Sequence, residues 1–474
     1  MKDSAGASKI IREFSQKDGN IRIIGHFDAD GLSGAGLMGK ALLRQGANFS
    51  IRIAKQLDEK VINNIAKEKA ALYIMVDFGS GYLEAINKSF ESQCVVLDHH
   101  QIQGEPSANV IQVNPHSYGL DGATDLSGSG VSYLVAKAVD ERNADLSQIA
   151  IVGALADMQD RNKGRELLGL NKRIVKDGVD GGYIKEETDL LFYGRETRQI
   201  AKAIASTFNP FIPGLSGEED ECLRFLIKDA EIELKEGDRW RTVSDLRKDE
   251  KQEIMEHLVT HLDSLGVDKD AASGLIGKVY TLNKEDHSSP LRDAREFGSL
   301  LNACGRMDRA GLGIAICMGD RASAFSEAQQ VLIQYRKALS EGLKWLNEVP
   351  DRVEECPSFI LIKGEDVIDE KIIGAISTIL TTSRTYGQER PIIAITRTKE
   401  NTVKVSARGN EFLISRGLNL GEIMQKASEM VSGSGGGHNI AAGAQIPLGK
   451  EDAFLMLVKE MIDKALQVGE KAES

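Results

Sequence analysis

The chain has 474 residues, 41% of them hydrophobic and 27% charged, and its formal net charge is −12 at pH 7. No apolar run is long enough to span a membrane and the five cysteines are scattered without a CxxC pair, which excludes a membrane-spanning protein, a disulfide framework and a structural zinc site. The acidic charge excludes a broadly basic surface, so any contact with nucleic acid would have to use a local basic groove.

The first part of the chain, residues 9–191, predicts alternating strands and helices. Short apolar runs predict strands at 21–25, 47–54, 71–76 and 94–97. Helices are predicted at 33–45, 60–69, 83–89, 131–139 and 149–155. This alternation is typical of a mostly parallel sheet covered by helices on both faces, so the N-terminal domain is predicted to be α/β.

A charge-dense stretch interrupts this pattern after a segment, 208–217, that holds two prolines and two glycines. It includes an amphipathic helix at 251–265, whose apolar face we expect to comprise Ile254, Leu258, Leu262 and Leu265. We take 195–290 as an inserted, mainly helical domain. Its charges could form an ordinary solvated surface or a docking surface for a partner.

The C-terminal part returns to an α/β pattern after one long predicted helix at 323–346 that would connect the two lobes. Strands are predicted at 359–362, 392–396 and 403–407, and helices at 371–381 and 420–429. We therefore expect residues 291–349 to complete the first lobe and supply the connecting helix, and residues 350–474 to form a second α/β domain.

The first predicted strand delivers three metal-type ligands, His26, Asp28 and Asp30, within five residues. Ligands bind at the carboxyl ends of strands in open α/β sheets. Carboxylate oxygens together with imidazole suit Mn²⁺ or Mg²⁺. The alternative for a single Asp-x-Asp sequence is a turn whose carboxylates cap the following helix.

Three further apolar elements also end in acids or imidazoles, and this repetition favours a metal site. The groups at these ends are Asp77, the run Asp98-His99-His100, and Asp157. Any one of them alone is more often structural. Together they supply the ligands that two divalent cations about 4 Å apart would need in order to clamp a phosphate and activate a water molecule.

These residues resemble the DHH phosphoesterase family in the order and spacing of its motifs I to IV. The C-terminal sequence Gly435-Gly436-Gly437-His438 is similar to the GGGH signature of the attached DHHA1 domain, and residues 302–306 resemble a segment of RecJ, the single-strand exonuclease of the family. Within the family, the chain is most similar to the archaeal RecJ-like nucleases that associate with GINS. It differs from bacterial RecJ at His26, where an aspartate usually stands.

The resemblance implies a role for each motif residue. Two cation sites would share the Asp77 carboxylate, with His26, Asp28 and Asp77 at the first and Asp30, Asp77, His99 and Asp157 at the second. Asp98 would orient an imidazole. His100 would lie beside the scissile phosphate and either stabilise charge or protonate the leaving oxygen.

The resemblance also implies a domain order and a substrate-binding set. Residues 1–194 would form the DHH catalytic domain and residues 350–474 the DHHA1 domain. The glycine run ending at Gly437 could act as an anion-binding nest or as a flexible linker. The residues expected to bind substrate are Arg306, Ser406, Arg408, Gly435, Gly436, Gly437 and His438, although a surface ion pair would explain either arginine alone.

The function implied is a manganese- or magnesium-dependent exonuclease that trims single-stranded nucleic acid, 5′ to 3′ on DNA and also possible on RNA, in replication or repair. One alternative is a phosphoesterase of short oligonucleotides or dinucleotides. Another is a replisome scaffold with a vestigial metal site, in which the inserted domain docks GINS or the replicative helicase complex. We expect a cytoplasmic location, because the N-terminus lacks the apolar core of a signal peptide.

Overall fold

A parallel sheet of five strands lies at the centre of the N-terminal part of the chain. The strands are β1 (Ile21–His26), β2 (Phe49–Ala54), β3 (Leu72–Val76), β4 (Gln93–Leu97) and β5 (Val110–Val113). Their order is β2-β1-β3-β4-β5, and every neighbouring pair is parallel. β3 is buried along its whole length, as an uninterrupted apolar strand between two helical layers requires. The predicted parallel sheet is confirmed, and the carboxyl ends of its strands share one edge.

Helices cover this sheet. They are α1 (Lys2–Ser15), α2 (Ala29–Arg44), α3 (Glu59–Ala66), α4 (Leu83–Ser89), α5 (Gly128–Val139), α6 (Ser147–Ala156) and α7 (Gly169–Asp180). α2 begins four residues before its predicted start because Asp28 Oδ1 accepts the Gly31 N–H at 3.0 Å and caps the helix there. Most of α2 is buried, with glycine, alanine and serine facing its neighbours, so the helix packs closely under the sheet edge.

The computed structural model describes residues 2–17, 19–55, 57–207, 212–265, 274–287, 289–348, 350–383 and 385–472. By its internal contacts the chain divides into two units. Unit 1 comprises Met1–Ser206 and Pro213–Leu332, and unit 2 comprises Thr207–Ile212 and Ile333–Ser474. Part of the predicted boundary segment, 208–211, lies outside the described residues.

The region predicted as a helical insertion combines helices with strands. Its elements are β6 (Ile184–Leu190), α8 (Ile200–Ala205), α9 (Glu219–Arg224), β7 (Lys235–Glu236), β8 (Arg239–Trp240), α10 (Lys248–Ser264) and β9 (Ile276–Leu282). β6 pairs antiparallel with β9, although β6 precedes the predicted boundary at 195. On α10, Ile254, Leu258 and Leu262 are buried as predicted, whereas Leu265 was wrongly placed on that face: it follows the helix end and is 51% exposed.

Three helices follow β9: α11 (Ala294–Arg306), α12 (Ala310–Met318) and α13 (Ser323–Glu348). The predicted long helix at 323–346 is confirmed as α13, which contains the division between the two units at Leu332 and Ile333. α11 and α12 are separate helices, because the chain turns between them at Asp308, whose φ is 58°.

Unit 2 is built on a mixed sheet of six strands in the order β10-β11-β12-β13-β15-β14. The strands are β10 (Val353–Glu355), β11 (Ile360–Lys363), β12 (Ile392–Arg397), β13 (Thr402–Arg408), β14 (Ser434–Gly437) and β15 (Ala441–Pro447), and the helices are α14 (Ile373–Thr382), α15 (Glu411–Ser415), α16 (Leu420–Met430) and α17 (Glu451–Ala472). Its core includes Phe359, Ile393, Val405, Met424 and Phe454, all at most 3% exposed.

The glycine run expected to be a nest or a linker is instead mostly an edge strand. Ser434–Gly437 forms β14, which pairs with β15 and lies against α16. A Cβ at Gly435 would lie 2.6 Å from the Met424 carbonyl oxygen of that helix. Gly435 is therefore required here for close packing of a helix onto a strand, a contact between segments that local composition does not reveal.

The cysteines are free thiols, and four of the five, Cys94, Cys222, Cys304 and Cys317, are buried. This confirms the prediction that they are not a disulfide framework. Among the helices of the described residues, none combines the length and the apolar character that crossing a membrane requires.

Candidate metal centre

Four segments of unit 1 bring the predicted ligands to the carboxyl edge of the sheet. β1 ends at His26, Asp77 follows β3, and the Asp98-His99-His100 run follows β4. Asp157 is the C-cap of α6. These strands are adjacent and parallel, so their ends lie side by side, and the predicted convergence is seen in the distances between side chains.

The first group consists of His26, Asp28 and Asp77. The Nδ1 atom of His26 lies 3.0 Å from Asp28 Oδ2 and 3.4 Å from Asp77 Oδ2. One ligand atom from each residue lies within 4.8 Å of the others. These are the three residues that the family resemblance assigns to the first cation.

The second group consists of Asp30, His99 and Asp157, again with ligand atoms within 4.8 Å of one another. The Nε2 atom of His99 is 4.0 Å from Asp30 Oδ2, 3.9 Å from Asp157 Oδ2 and 3.1 Å from Asp77 Oδ1. Asp77 thus directs Oδ2 toward His26 of the first group and Oδ1 toward His99 of the second. That is the placement a bridging carboxylate would need.

The electrostatics of this cluster favour a bound cation. Burial, with the charges of Asp77 and Asp157, raises the pKa of Asp30 well above its ordinary value, and burial also raises the pKa of Asp157. Burial alone would lower the pKa of His99, but contact with Asp77 and the charge of Asp157 raise it well above its ordinary value. Buried like charges at these distances need positive charge nearby.

The donor set also fits a divalent metal ion. Among the described residues, the buried His26 Nδ1 and Asp77 Oδ1 atoms make no hydrogen bond of acceptable geometry, although charged atoms lie 3.0–3.1 Å away. Polar atoms that converge without aligned hydrogen bonds are expected where they would coordinate a common ion. Carboxylate oxygen and imidazole nitrogen are ligands that Mn²⁺ and Mg²⁺ accept.

Asp30 is held by the N-terminus of α5. Its Oδ2 accepts the Gly128 N–H at 2.7 Å, and its Oδ1 accepts the Ser129 N–H at 3.1 Å and the Ser129 hydroxyl. A helix N-terminus favours a carboxylate because its first N–H groups lack partners within the helix. Sequence reasoning predicted the helix from residue 131 and missed this role of Gly128 and Ser129. The small-residue run before an apolar helix was the available signal.

Asp98 and His100 lie beside the two groups, and one ring nitrogen of His100 also lies within 4.8 Å of ligand atoms of Asp77 and His99. Asp98 is fully buried, and its Oδ1 lies 2.8 Å from His100 Nδ1 while also accepting the His99 N–H at 2.8 Å. Its Oδ2 accepts the Ser80 N–H at 2.9 Å. The structure therefore places Asp98 where it orients the His100 imidazole, whose side chain is 37% exposed.

The segment around Arg306 lies against the loop that follows β1. Asn302 Oδ1 accepts the Ala29 N–H at 3.1 Å, and a Cβ at Gly305 would overlap the Phe27 carbonyl oxygen. This close approach brings the end of α11 beside the His26–Asp28 loop. Arg306 is partly exposed, and it forms no ion pair with any other residue of the described ranges.

The remaining predicted substrate-binding residues lie together in unit 2. Gly443 of β15 pairs with Ser406 on one side and with Gly436 on the other, so these three residues form one row across the sheet. Ser406 is buried, and its Oγ is without a hydrogen bond among the described residues. Arg408 Nε lies 2.9 Å from Thr378 Oγ1, and the N–H of His438, after β14, donates to the Ala441 carbonyl oxygen at 2.9 Å.

Three family models match successive parts of the chain. They are the DHH family N-terminal domain at residues 20–157, the DHH-CID domain at 192–276 and the DHHA1 domain at 358–464. The first contains all eight residues of the predicted metal and catalytic set. The second covers most of the region predicted as an insertion, and the third contains the residues predicted to bind substrate in unit 2.

Relatives align with almost the whole chain or with about half of it. The uncharacterized protein MJ0831 of Methanocaldococcus jannaschii is 32% identical over 477 residues, covering 98% of this chain and 99% of that protein. The single-stranded-DNA-specific exonuclease RecJ of Thermus thermophilus is 26% identical over 239 residues, which cover 47% of this chain and 35% of RecJ. The RecJ alignment thus spans about a third of that curated relative.

Solved structures share the fold. RecJ of Thermus thermophilus in complex with Mn²⁺ superposes with a TM-score of 0.60 at 18% identity, over 98% of this chain and 55% of that one. CDC45 from Entamoeba histolytica superposes with a TM-score of 0.66 at 11% identity, over 98% of this chain and 99% of that one. Identities this low establish a common architecture and nothing about activity.

Proposed function

This chain belongs to the DHH family, and from that membership we propose that it is a metal-dependent exonuclease specific for single-stranded nucleic acid. The observation that carries the proposal is the pair of ligand groups joined by Asp77, whose two carboxylate oxygens face His26 and His99. We propose 5′ to 3′ action on DNA, with RNA as a further substrate, in replication or repair.

The proposed cofactors are two divalent cations, Mn²⁺ in preference to Mg²⁺. His26, Asp28 and Asp77 would hold one, and Asp30, Asp77, His99 and Asp157 the other. When bound, the pair would supply Lewis-acid activation of water and neutralisation of phosphate charge. The chain itself excludes bulk water from half of the set, since Asp30, Asp77 and His99 are each 2% exposed.

His100 is the group that we propose to act on the reacting phosphate. The Asp98 carboxylate accepts a hydrogen bond from His100 Nδ1, so the other ring nitrogen of His100, Nε2, is directed away from Asp98. Burial alone would lower the pKa of His100, but the charge of Asp98 raises it, so the imidazole holds a proton more readily than usual. A protonated Nε2–H can stabilise a phosphoryl oxygen or donate to the leaving oxygen.

Substrate would be engaged by Arg306 beside the metal centre and by Ser406, Arg408, Gly435, Gly436, Gly437 and His438 of unit 2. Arg306 carries a charge that is unpaired within the described ranges. The buried Ser406 hydroxyl is a hydrogen-bonding group without a partner there. A buried polar atom left in this way is costly unless a ligand satisfies it.

The test is release of nucleotides from end-labelled single strands, DNA and RNA, with either end blocked. We expect Mn²⁺-dependent release from wild type, loss of release in Asp77→Asn and His99→Ala, and normal release in the control Asp180→Asn, whose side chain is 62% exposed. Activity that survives both ligand substitutions would defeat the proposal.

A length series separates this proposal from hydrolysis of short oligonucleotides, which the same metal centre could perform. A strand exonuclease releases nucleotides processively or repeatedly from long strands. A preference for dinucleotides with loss of activity on long strands would instead identify the short-substrate enzyme.

We also propose that the region 195–290 docks GINS or the replicative helicase complex. It exposes the apolar side chains of Ile227, at 57%, and Trp240, at 40%. Deleting 195–290 would remove β9 and leave β6 unpaired, so point substitutions are the better test. The double variant Ile227→Asp, Trp240→Ser should no longer bind the purified GINS or helicase complex, and its nuclease activity should remain. Unchanged binding would exclude this surface.

A further inference from the structure

We propose that Gln159 is a positioning residue of the metal centre. Its one side-chain amide holds the carboxylate of Asp157 and, through the carbonyl of Gly122, the ring of His99. This inference rests on the metal centre of the proposed function and is independent of the nucleic-acid substrate.

The Gln159 amide is buried, and both of its polar atoms form hydrogen bonds. The residue is 1% exposed, its Nε2 donates to Gly122 O at 2.8 Å and to Asp157 Oδ2 at 3.0 Å, and its Oε1 accepts from Asn171 Nδ2 at 2.6 Å. A carbonyl and a carboxylate only accept, so they define which end of the amide faces the metal centre. The Asp157 carboxylate is therefore held in place by a donor that itself has a single orientation.

The same carbonyl oxygen orients His99. Nδ1 of His99 lies 2.6 Å from Gly122 O, and since a carbonyl cannot donate, Nδ1 must carry the hydrogen. Nε2 is then the ring atom that faces Asp77 and Asp30. Gln159 Nε2 lies 3.4 Å from His99 Nδ1, and because both nitrogens carry hydrogens they do not bond each other but share the Gly122 oxygen.

The position of that carbonyl depends on close contacts between separate segments. A Cβ at Gly122 would overlap the His99 carbonyl oxygen, so only glycine allows the loop this approach. Asn171, in the first turn of α7, is tied to the same loop, because its N–H donates to the Asp125 carbonyl oxygen at 3.0 Å. Gln159 therefore links α7 and the 122–125 loop to two of the three residues in the second ligand group.

The consequence is that this group is arranged before a cation binds. Outer hydrogen-bond partners of metal ligands typically contribute ten- to a hundredfold in metal affinity. Gln159→Glu would place a second carboxylate against Asp157 and remove the donor, whereas Gln159→Met would remove the donor and keep the length. Both substitutions should weaken one cation site and leave the His26–Asp28–Asp77 group unaffected.

The experiment is Mn²⁺ titration of the full chain, followed by the electron paramagnetic resonance signal of free Mn²⁺, with no nucleic acid present. We expect two sites in wild type, and one of them weakened about ten- to a hundredfold in both Gln159 variants. Asn143→Asp, at a fully buried amide that donates to the Ala136 carbonyl, is the matched control and should bind within twofold of wild type. Saturating Mn²⁺ should restore full occupancy.

Several outcomes would overturn the inference. One is that both Gln159 variants fold and bind Mn²⁺ with wild-type affinity. Another is that they lose no more Mn²⁺ affinity than Asn143→Asp does. A third is that the wild type binds no Mn²⁺. If the Gln159 variants do not fold, Asn171→Ala removes the donor to Gln159 Oε1, and unchanged Mn²⁺ affinity there would also overturn the inference. A wild type that binds Mn²⁺ but leaves strands intact would defeat the nuclease proposal alone.

Discussion

Asp77 combines three unusual properties at one position. Its φ is 65°, a left-handed conformation that few residues other than glycine adopt; it is 2% exposed; and its two carboxylate oxygens face imidazoles of different ligand groups. Such strain persists where the surroundings require it and is concentrated at functional sites. The backbone at the end of β3 therefore turns in the way that lets one side chain serve both groups.

Gly128 makes room for that carboxylate, and its substitution is a direct test. A Cβ at Gly128 would lie 2.6 Å from Asp77 Oδ1 and 2.8 Å from Asp77 Cβ. We expect Gly128→Ala to weaken Mn²⁺ binding at least tenfold, measured by titration calorimetry. The control is Gly6→Ala, where an added Cβ would meet nothing within 4 Å. Equal Mn²⁺ affinity in the two variants would contradict the assignment of Asp77.

His100→Ala tests the separation between metal binding and chemistry. Asp98 Oδ1 lies 2.8 Å from His100 Nδ1 and orients the ring. From the proposed role of His100 as a general acid, we expect its loss to lower kcat on single strands by about 10²- to 10⁴-fold, the range for general acid–base groups. Mn²⁺ affinity should change far less than in His99→Ala. Parallel losses of kcat and metal affinity would instead make His100 a ligand, which its distance from Asp77 and His99 also permits.

At the level of single elements, the β1–α2 connection reconciles the two explanations of its Asp-x-Asp sequence. Asp28 Oδ1 caps α2 through the Gly31 N–H, while its Oδ2 lies 3.0 Å from His26 Nδ1. A carboxylate has two oxygens, so capping and membership of a ligand group do not compete. The cap begins the helix inside the motif and thereby directs Asp30 toward α5.

The first turn of α11 contains a buried acid that should make stability depend on pH. Burial and the charge of Asp293 raise the pKa of Glu296, which is 4% exposed, to about 8 from a usual value of 4.5. The folded state therefore binds this proton more tightly than the unfolded state. The stabilisation is complete below about pH 4.5 and is lost as the pH rises toward 8.

Glu296→Gln removes the ionisation, so the variant should lose less stability than wild type between pH 5 and pH 8. The difference at pH 8 should be on the order of 4 kcal/mol, since the rise of the pKa from 4.5 to about 8 is worth about 1.4 kcal/mol per unit and Glu296 is about half ionised at that pH. Urea unfolding at several pH values measures it. The exposed Glu141→Gln is the control and should follow wild type. If the free energy of unfolding changes with pH in the same way in wild type and in Glu296→Gln, the raised pKa of Glu296 is refuted.

The antiparallel pairing of β6 with β9 connects the 195–290 region to the preceding part of unit 1. Lys251 of α10 reaches back to Asp189 of β6 at 2.6 Å, and Arg195 is paired with the same carboxylate. These ion pairs, of which the one with Arg195 is buried, connect the region to the strand that precedes it. Deleting residues 195–290 would remove both Arg195 and Lys251 and so leave the buried Asp189 carboxylate without these two partners.

For the whole molecule, the two units should respond differently to metal. All eight predicted ligand and catalytic residues lie in unit 1. A cation that binds only the folded state stabilises it by about 2.7 kcal/mol at a hundred times the dissociation constant. Calorimetric scans should therefore show an Mn²⁺-dependent transition for unit 1 that EDTA reverses, and a transition for unit 2 that does not move. A uniform shift of both would contradict this assignment.

The sequence alone determined the α/β class, the long helix and the candidate ligands, because each depends on a local pattern. An apolar strand that ends in an acid or imidazole can be recognised from the sequence wherever it occurs. Parallel strands then bring these ends to one edge of the sheet. The strand formed by the C-terminal glycine run was not predicted, because it depends on close packing of Gly435 against α16, which lies on a different segment.

Only the tertiary structure decided what surrounds the ligands and where the inserted region is anchored. Gly128, Ser129, Gly122, Gln159 and Asn171 act through contacts between segments that are separated along the chain, and β6 finds its partner in β9 more than 80 residues later. The spacing of apolar residues does not encode such contacts, since a glutamine, asparagine or glycine that forms one cannot be told from sequence alone from one that does not. Its role follows from the atoms that folding places against it.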